Sequence, residues 1–190
     1  MKRPLAIVLA VAGILAATAG FELWMGRLPL GPDGHFGWWE SNIWSSEQSQ
    51  RFADPYSFSH VCHGVIFYGL LWLVARRAPM RYRFLAAVLI EATWEALENS
   101  PIIINRYRAV TISLGYVGDS VLNSISDVLM MAIGFAIASR LRVWTSVALV
   151  LAMEVGMLAL CRDNLTLNIV MLVYPLEAIR QWQMAGRPPG

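Results

Sequence analysis

The sequence predicts an all-α polytopic transmembrane bundle of five to six spans with a cytoplasmic N-terminus, and three observations lead there. Of 190 residues, 57% are hydrophobic and only 15% charged, with a mean hydropathy of +0.51, which is more apolar than ordinary globular domains. Apolar stretches of about 20 residues, the length that crosses a bilayer, recur along the whole chain. Basic residues gather in the short turns between those stretches, as positive-inside topology requires.

Taken in order, the spans are 5–25, 58–75, 84–104, 121–139 and 143–161, with a weaker sixth segment at 165–179. That segment is short and interrupted by Pro175 and Glu177, so it reads as a crossing helix, a half-span or an interfacial helix. Lys2 and Arg3, then Arg76, Arg77, Arg81 and Arg83, then Arg140 and Arg142 mark the cytoplasmic ends. The segments 26–57, 105–120 and 162–164 therefore fall outside. Arg180 and Arg187 would end inside if the sixth segment crosses, which favours six spans. The first span has a competing reading as a signal peptide, with Ala17, Thr18 and Ala19 as a cleavage pattern. Phe21, Leu23, Trp24 and Met25 extend its apolar run and favour a retained anchor.

The outer loop 26–57 is too small for a core of its own, so residues 1–190 form one integral-membrane domain. Its Trp38, Trp39 and Trp44 suit either anchoring in the headgroup layer or a lid over an outward-opening site. A net charge of +2 from scattered basic residues argues against nucleic acid and leaves the lipid bilayer as the expected partner. Cys62 and Cys161 are the only cysteines, which excludes a disulfide scaffold and paired-cysteine zinc motifs. There is no internal repeat, Walker loop, HExxH or GxSxG.

The chemistry lies in ionisable residues inside apolar segments. Glu91, Glu95 and Glu98 follow i, i+4, i+7 spacing and share one stripe of the third span. Each charged side chain at mid-helix costs about 2.5–3.5 kcal/mol, so the stripe must face protein or water and have partners. Like charges so close cannot all be ionised cheaply unless a cation sits among them. His60 and His63 share a face near the outer end of the second span, a spacing that suits two ligands of one metal or an acid/base pair. Asp119, Asn123 and Asp127 form a further stripe. Asp119 could equally cap the helix that follows it, whereas Asp127 lies roughly 10 Å further in and needs a partner. Arg106 and Arg108 run against the positive-inside trend, which suits neutralising the acids or holding a phosphate or carboxylate headgroup. Glu154 is a lone carboxylate in the fifth span, and its position alone does not say whether it joins the cluster.

Topology puts His60, His63, Glu95, Glu98, Asn123 and Asp127 at one depth in the outer half, and leaves Glu91 nearer mid-membrane. His60, His63, Glu95, Glu98 and Asp127 are thus the candidate catalytic residues, and Arg106, Arg108, Asp119 and Asn123 the candidate substrate-binding ones. His60, His63 and Glu98 form a candidate ligand set for a divalent metal as the possible cofactor.

The segments Asp54-Pro55-Tyr56-Ser57-Phe58-Ser59-His60 through His63-Gly64, Trp94-Glu95-Ala96-Leu97-Glu98-Asn99-Ser100, Arg106-Tyr107-Arg108 and Gly118-Asp119-Ser120-Val121-Leu122-Asn123-Ser124 to Asp127 resemble an uncharacterised family of small bacterial multi-pass inner-membrane proteins. The resemblance implies a bacterial inner-membrane location and no established activity. More distantly, the order His63, Tyr68, Glu91 or Glu95, Arg108, Asp119, Asn123 is similar to VanZ-type proteins, associated with tolerance of a glycopeptide antibiotic. The long tryptophan-bearing loop and the triple glutamate depart from that pattern.

Three functions follow as expectations: an enzyme acting on an envelope lipid or lipid-linked headgroup, a proton- or ion-coupled carrier, and a structural or accessory membrane protein. Missing inverted repeats count against the carrier.

Overall fold

The computed structural model describes residues 2–188, without the side chains of Lys2, Arg3 and Pro4, so the charges of Lys2 and Arg3 fall outside the described residues. The elements are α1 (Lys2–Trp24), α2 (Ser57–Val74), α3 (Met80–Glu98), α4 (Pro101–Val110), α5 (Val121–Ala138), α6 (Val143–Cys161), α7 (Leu165–Val173) and α8 (Glu177–Met184). Among the described residues there is no strand, only an isolated bridge between Trp39 and Ala53.

α1, α2, α5 and α6 are long and apolar enough to cross a membrane. Their outward faces carry large apolar side chains such as Val8, Leu73, Val143 and Leu160, from 63% to 81% exposed. Such faces suit lipid, because a helix satisfies its own backbone and leaves only side chains to meet hydrocarbon. α3 is the same length but carries Arg81, Arg83 and the three glutamates, and it is shielded by α1, α2 and α5.

The core joins Ala87, Val88 and Ala92 of α3 to Val128, Met131 and Phe135 of α5, with Val11, Ile14 and Leu15 of α1 packed against them. α2 and α5 run parallel and touch backbone to backbone. A Cβ on Gly64 would strike the Met131 carbonyl, and one on Gly134 the Val61 carbonyl, the small-residue approach that packs helices in membranes. Parallel α2 and α5 also bring the basic α2–α3 and α5–α6 turns to the same end, opposite the long loop.

One expectation is corrected here, and one left open is narrowed. The apolar stretch 84–104 is not one helix: α3 ends at Glu98, Ser100 turns extended and caps α4 by accepting from the Ile103 amide, and Pro101 opens α4. A residue preceding proline is driven out of helical conformation, and proline is suited to the first helical position. The apolar run Ile102, Ile103, Ile104 masks that break. The segment 165–179, left open between three alternatives, is broken into α7 and the start of α8. α7 has nine residues, roughly 14 Å of rise, and the chain turns at Tyr174 and Pro175 before α8. Gln183 Nε2 then donates to Asp163 Oδ1 at 2.9 Å, and the Arg162 guanidinium donates to the Trp182 carbonyl at 3.0 Å. The Arg187 guanidinium rests over Trp44 at 5.5 Å. The tail therefore doubles back to the side of the long loop.

The loop 26–57 is stitched over this end of the bundle. Ser120 and Val121 amides donate to the Ser49 and Leu28 carbonyls at 2.9 Å. Gln50 Nε2 donates to the Gly118 carbonyl at 2.8 Å, and Asn123 Nδ2 to the Arg51 carbonyl at 2.9 Å. Trp38 and Trp39 are exposed, whereas Trp44 turns to the cavity beneath the loop.

Candidate functional site

Asp54 starts α2 by accepting from the Tyr56 amide at 2.7 Å, and Ser57 Oγ accepts from the Asp54 amide at 3.1 Å. This turn sets His60 and His63 on the first two turns of α2, facing α3. His60 Nδ1 lies 2.6 Å from Glu91 Oε1, and His63 Nδ1 lies 2.9 and 3.1 Å from the two Glu91 oxygens. A carboxylate only accepts, so both imidazoles donate through Nδ1–H and each keeps Nε2 as its free ring nitrogen. Glu91 is fully buried and orients two rings at once. His63 also stacks on Phe67, with centroids 5.7 Å apart.

The remaining acids surround this pair. Glu95 Oε1 lies 3.4 Å from His60 Nδ1, whose hydrogen is already directed at Glu91, and both Glu95 oxygens lack a hydrogen-bond donor. Asp127 Oδ2 lies 3.7 Å from His60 Nε2, and Asp127 Oδ1 accepts from Ser57 Oγ at 3.3 Å. Asp119 does not cap α5. Ser120 does, accepting from the Asn123 amide at 3.2 Å, while the Asp119 carboxylate accepts from Asn99 Nδ2 at 3.0 Å and from the Tyr116 hydroxyl at 2.9 Å. Burial pushes Asp119 above the usual carboxylate range and keeps Tyr116 a phenol donor. Burial, helped by the charge of Asp119, pushes Asp54 up to about 7 against the amide bonds it accepts.

These groups meet a cavity of about 610 Å³ roofed by the long loop. Its polar end presents His60, His63, Glu98, Asp119, Asn123 and Asp127, and its walls are apolar, among them Phe67, Trp94, Ile112 and Leu172. Ile66 and Ile90 line it too and are 39% and 45% exposed, so the cavity reaches the outer surface beside α2 and α3.

Three sequence-based placements change. Glu91, expected too deep to matter, is the shared partner of both histidines. The expected helix ran to 104, six residues beyond its true end, which displaced Glu91 by roughly 9 Å. The ligand set His60, His63, Glu98 is likewise regrouped: ligand atoms of His60, His63 and Glu91 lie within 4.8 Å of one another, and so do those of Glu95, Glu98 and Asp119. Arg106 and Arg108 do not line the cavity. Tyr107 takes the inward face of α4, and its neighbours point aside, Arg106 donating to the Leu172 carbonyl at 2.9 Å and Arg108 to the Tyr116 carbonyl.

Sequence reasoning overlooked Glu22, which is fully buried against α5 with neither oxygen hydrogen-bonded; its signal was an acid inside an apolar run. Arg187, the lysine or arginine that does line the cavity among the described residues, was unreadable while the course of the tail stayed open. Glu154 is remote from the cluster. It accepts from the Leu165 and Thr166 amides at 3.0 Å each, closing the first turn of α7.

A family described as a protein of unknown function, DUF2585, matches residues 22–185. UPF0314 proteins are close relatives. One from Paracoccus denitrificans is 52% identical over 90% of this chain and 89% of its own length. Another from Sphingopyxis alaskensis is 49% identical over 94% and 95%, and one from Rhizobium meliloti is 48% identical over 96% and 92%. No solved structure matches. These findings give no support to the VanZ likeness, and no residue role is taken from it. With a family match over most of its length and relatives near half identity, the chain belongs to the DUF2585 family of UPF0314 proteins.

Proposed function

We propose that this protein is a single-domain, multi-pass protein of the bacterial inner membrane that takes an envelope lipid or lipid-linked headgroup into its cavity and acts on it by proton transfer. Five helices, α1, α2, α3, α5 and α6, would cross, with the N-terminus and the basic turns in the cytoplasm and the long loop, α4, α7 and α8 outside. One observation carries the reading. A buried carboxylate, Glu91, holds two imidazoles by Nδ1, and both rings line a cavity with one polar end, apolar walls and a side opening.

That arrangement has a chemical logic. A histidine held through Nδ1–H by a carboxylate has its ring fixed and its imidazolium stabilised, so Nε2 can take a proton and return it. His60 and His63 are the acid/base groups, and Glu91 positions them. Asp127 faces His60 Nε2 at 3.7 Å, where its charge stabilises the imidazolium or its oxygen orients a headgroup hydroxyl. Asn123, Asp119 and Glu98 offer hydrogen bonds to a hydroxylated headgroup. Arg187 takes the steering role first expected of Arg106 and Arg108. An acyl or prenyl chain lies along Phe67, Ile66 and Ile90.

The test is retention of native lipid. The full chain, purified in mild detergent, should carry an amphiphile visible by native mass spectrometry, and Ile90→Trp, which fills the apolar wall, should release it. Protein that is lipid-free in every preparation, with proton or ion flux in vesicles instead, would replace this reading by the carrier.

A further inference from the structure

We propose that Glu95, Glu98 and Asp119 hold a divalent cation at the polar end of the cavity. Each offers a carboxylate oxygen, and these oxygens lie within 4.8 Å of one another. Two ligands on opposite sides of one ion at bond lengths of about 2.3–2.6 Å stand about 4.6–5.2 Å apart, so the set can close on an ion with small side-chain movements. All three donors are oxygens, which selects a hard cation such as Ca²⁺, Mg²⁺ or Mn²⁺ over zinc.

A cluster of acids alone would not justify a site. The independent observation is Glu95: it is fully buried, it belongs to the cluster, and neither oxygen has a hydrogen-bond donor. A buried unpaired carboxylate is among the costliest groups a protein can carry. Its charged neighbour is the His60 imidazole at 3.4 Å, whose Nδ1–H is already given to Glu91. Among the described residues, no lysine or arginine lies within ion-pair distance of Glu91, Glu95, Glu98, Asp119 or Asp127; the cationic partners available are imidazoles. Asp119 is meanwhile held for the task, its side chain fixed by Asn99 and Tyr116, in the way outer groups orient metal-ligating carboxylates. Glu98 and Asp119 line the cavity, which gives the ion an entry path and room for water to complete its coordination.

The site shares Glu98 and Asp119 with the amphiphile reading, but its test requires no lipid and no turnover. The experiment is Mn²⁺ titration of the chelator-treated full chain, followed by electron paramagnetic resonance, with Ca²⁺ and Mg²⁺ as competitors. A single saturable site is expected, displaced by Ca²⁺ or Mg²⁺ and weakened more than about tenfold in Glu98→Gln, since even an outer-shell partner carries about that much. Asp119→Asn is the second variant should Glu98→Gln fail to fold. The cation should also raise the unfolding temperature of the wild type and not of Glu95→Gln, because binding stabilises only the state that binds. Folded wild-type protein with no saturable Mn²⁺ site overturns the proposal, as does binding that Glu98→Gln and Asp119→Asn both leave intact.

Discussion

Two groups of buried and half-buried acids share this fold and are treated in opposite ways. At the α6–α7 corner, every carboxylate oxygen of Glu154 and Asp163 accepts a hydrogen bond: Glu154 from the Leu165 and Thr166 amides, Asp163 from the Tyr56 hydroxyl, the Asn164 amide and Gln183 Nε2. In the cavity region, Glu95 accepts none, Glu91 is spent on two histidines, and Asp127 has one hydroxyl at 3.3 Å. Proteins satisfy nearly all buried polar groups. The corner follows that rule and is structural. The cavity departs from it where a ligand would complete it.

The contrast can be broken by removing acids in turn, and the largest effect belongs to Glu91. Glu91→Ala strands two Nδ1–H donors, each worth about 1–3 kcal/mol when buried without an acceptor. A loss of about 3 kcal/mol is expected in reversible unfolding, together with loss of the lipid chemistry proposed above. A near-neutral Glu91→Ala would show that the histidine pair is held by something else.

Next comes the pH response of the corner. Burial pushes Asp163 up from 3.8 to about 6 despite the hydrogen bonds from Tyr56, Asn164 and Gln183. Between those values the folded protein holds a proton that the unfolded chain has released, so stability falls as pH rises from about 4 to about 6 and is level above. Two pKa units correspond to about 3 kcal/mol. Unfolding followed across that window should give a wild-type slope that is absent in Asp163→Asn; equal slopes would show that Asp163 titrates normally.

Smaller still is Glu154→Ala, which leaves Asn164 capping α7 but removes the acceptor of the Leu165 and Thr166 amides, at about 0.5–1.5 kcal/mol, the net worth of a hydrogen bond. Limited proteolysis should then cut sooner around 162–166, and an unchanged cleavage pattern would remove Glu154 from the clamp. Least of all is Glu95→Gln, expected neutral or slightly stabilising in cation-free protein, because it removes a charge with no partner. A strong destabilisation by Glu95→Gln would erase the difference between the two groups.

Hydropathy located α1, α2, α5 and α6 to within a few residues, because lipid-facing helices announce themselves by unbroken apolar length. It failed at Ser100–Pro101, where three isoleucines carried the apolar run across a helix break, and it stayed undecided at Leu165–Ile179, because apolarity does not distinguish crossing from doubling back. The shared face of His60 and His63 was legible from i, i+3 spacing. Their partner was not, because depth was counted from a helix end that proved six residues too long. Arg187 meets the cavity, and Glu22 is buried, through tertiary contacts that no local spacing encodes.

The most direct test of the central claim, that Glu91 orients both imidazoles toward the cavity, is ¹⁵N NMR of histidine-labelled full-length protein. His60 and His63 are assigned by subtraction with His60→Gln and His63→Gln, and His35 serves as the exposed reference. In their neutral forms both should show a protonated Nδ1 and a pyridine-type Nε2, and both signatures should collapse together in Glu91→Gln. Nε2–H tautomers, or shifts indifferent to Glu91→Gln, would contradict the account.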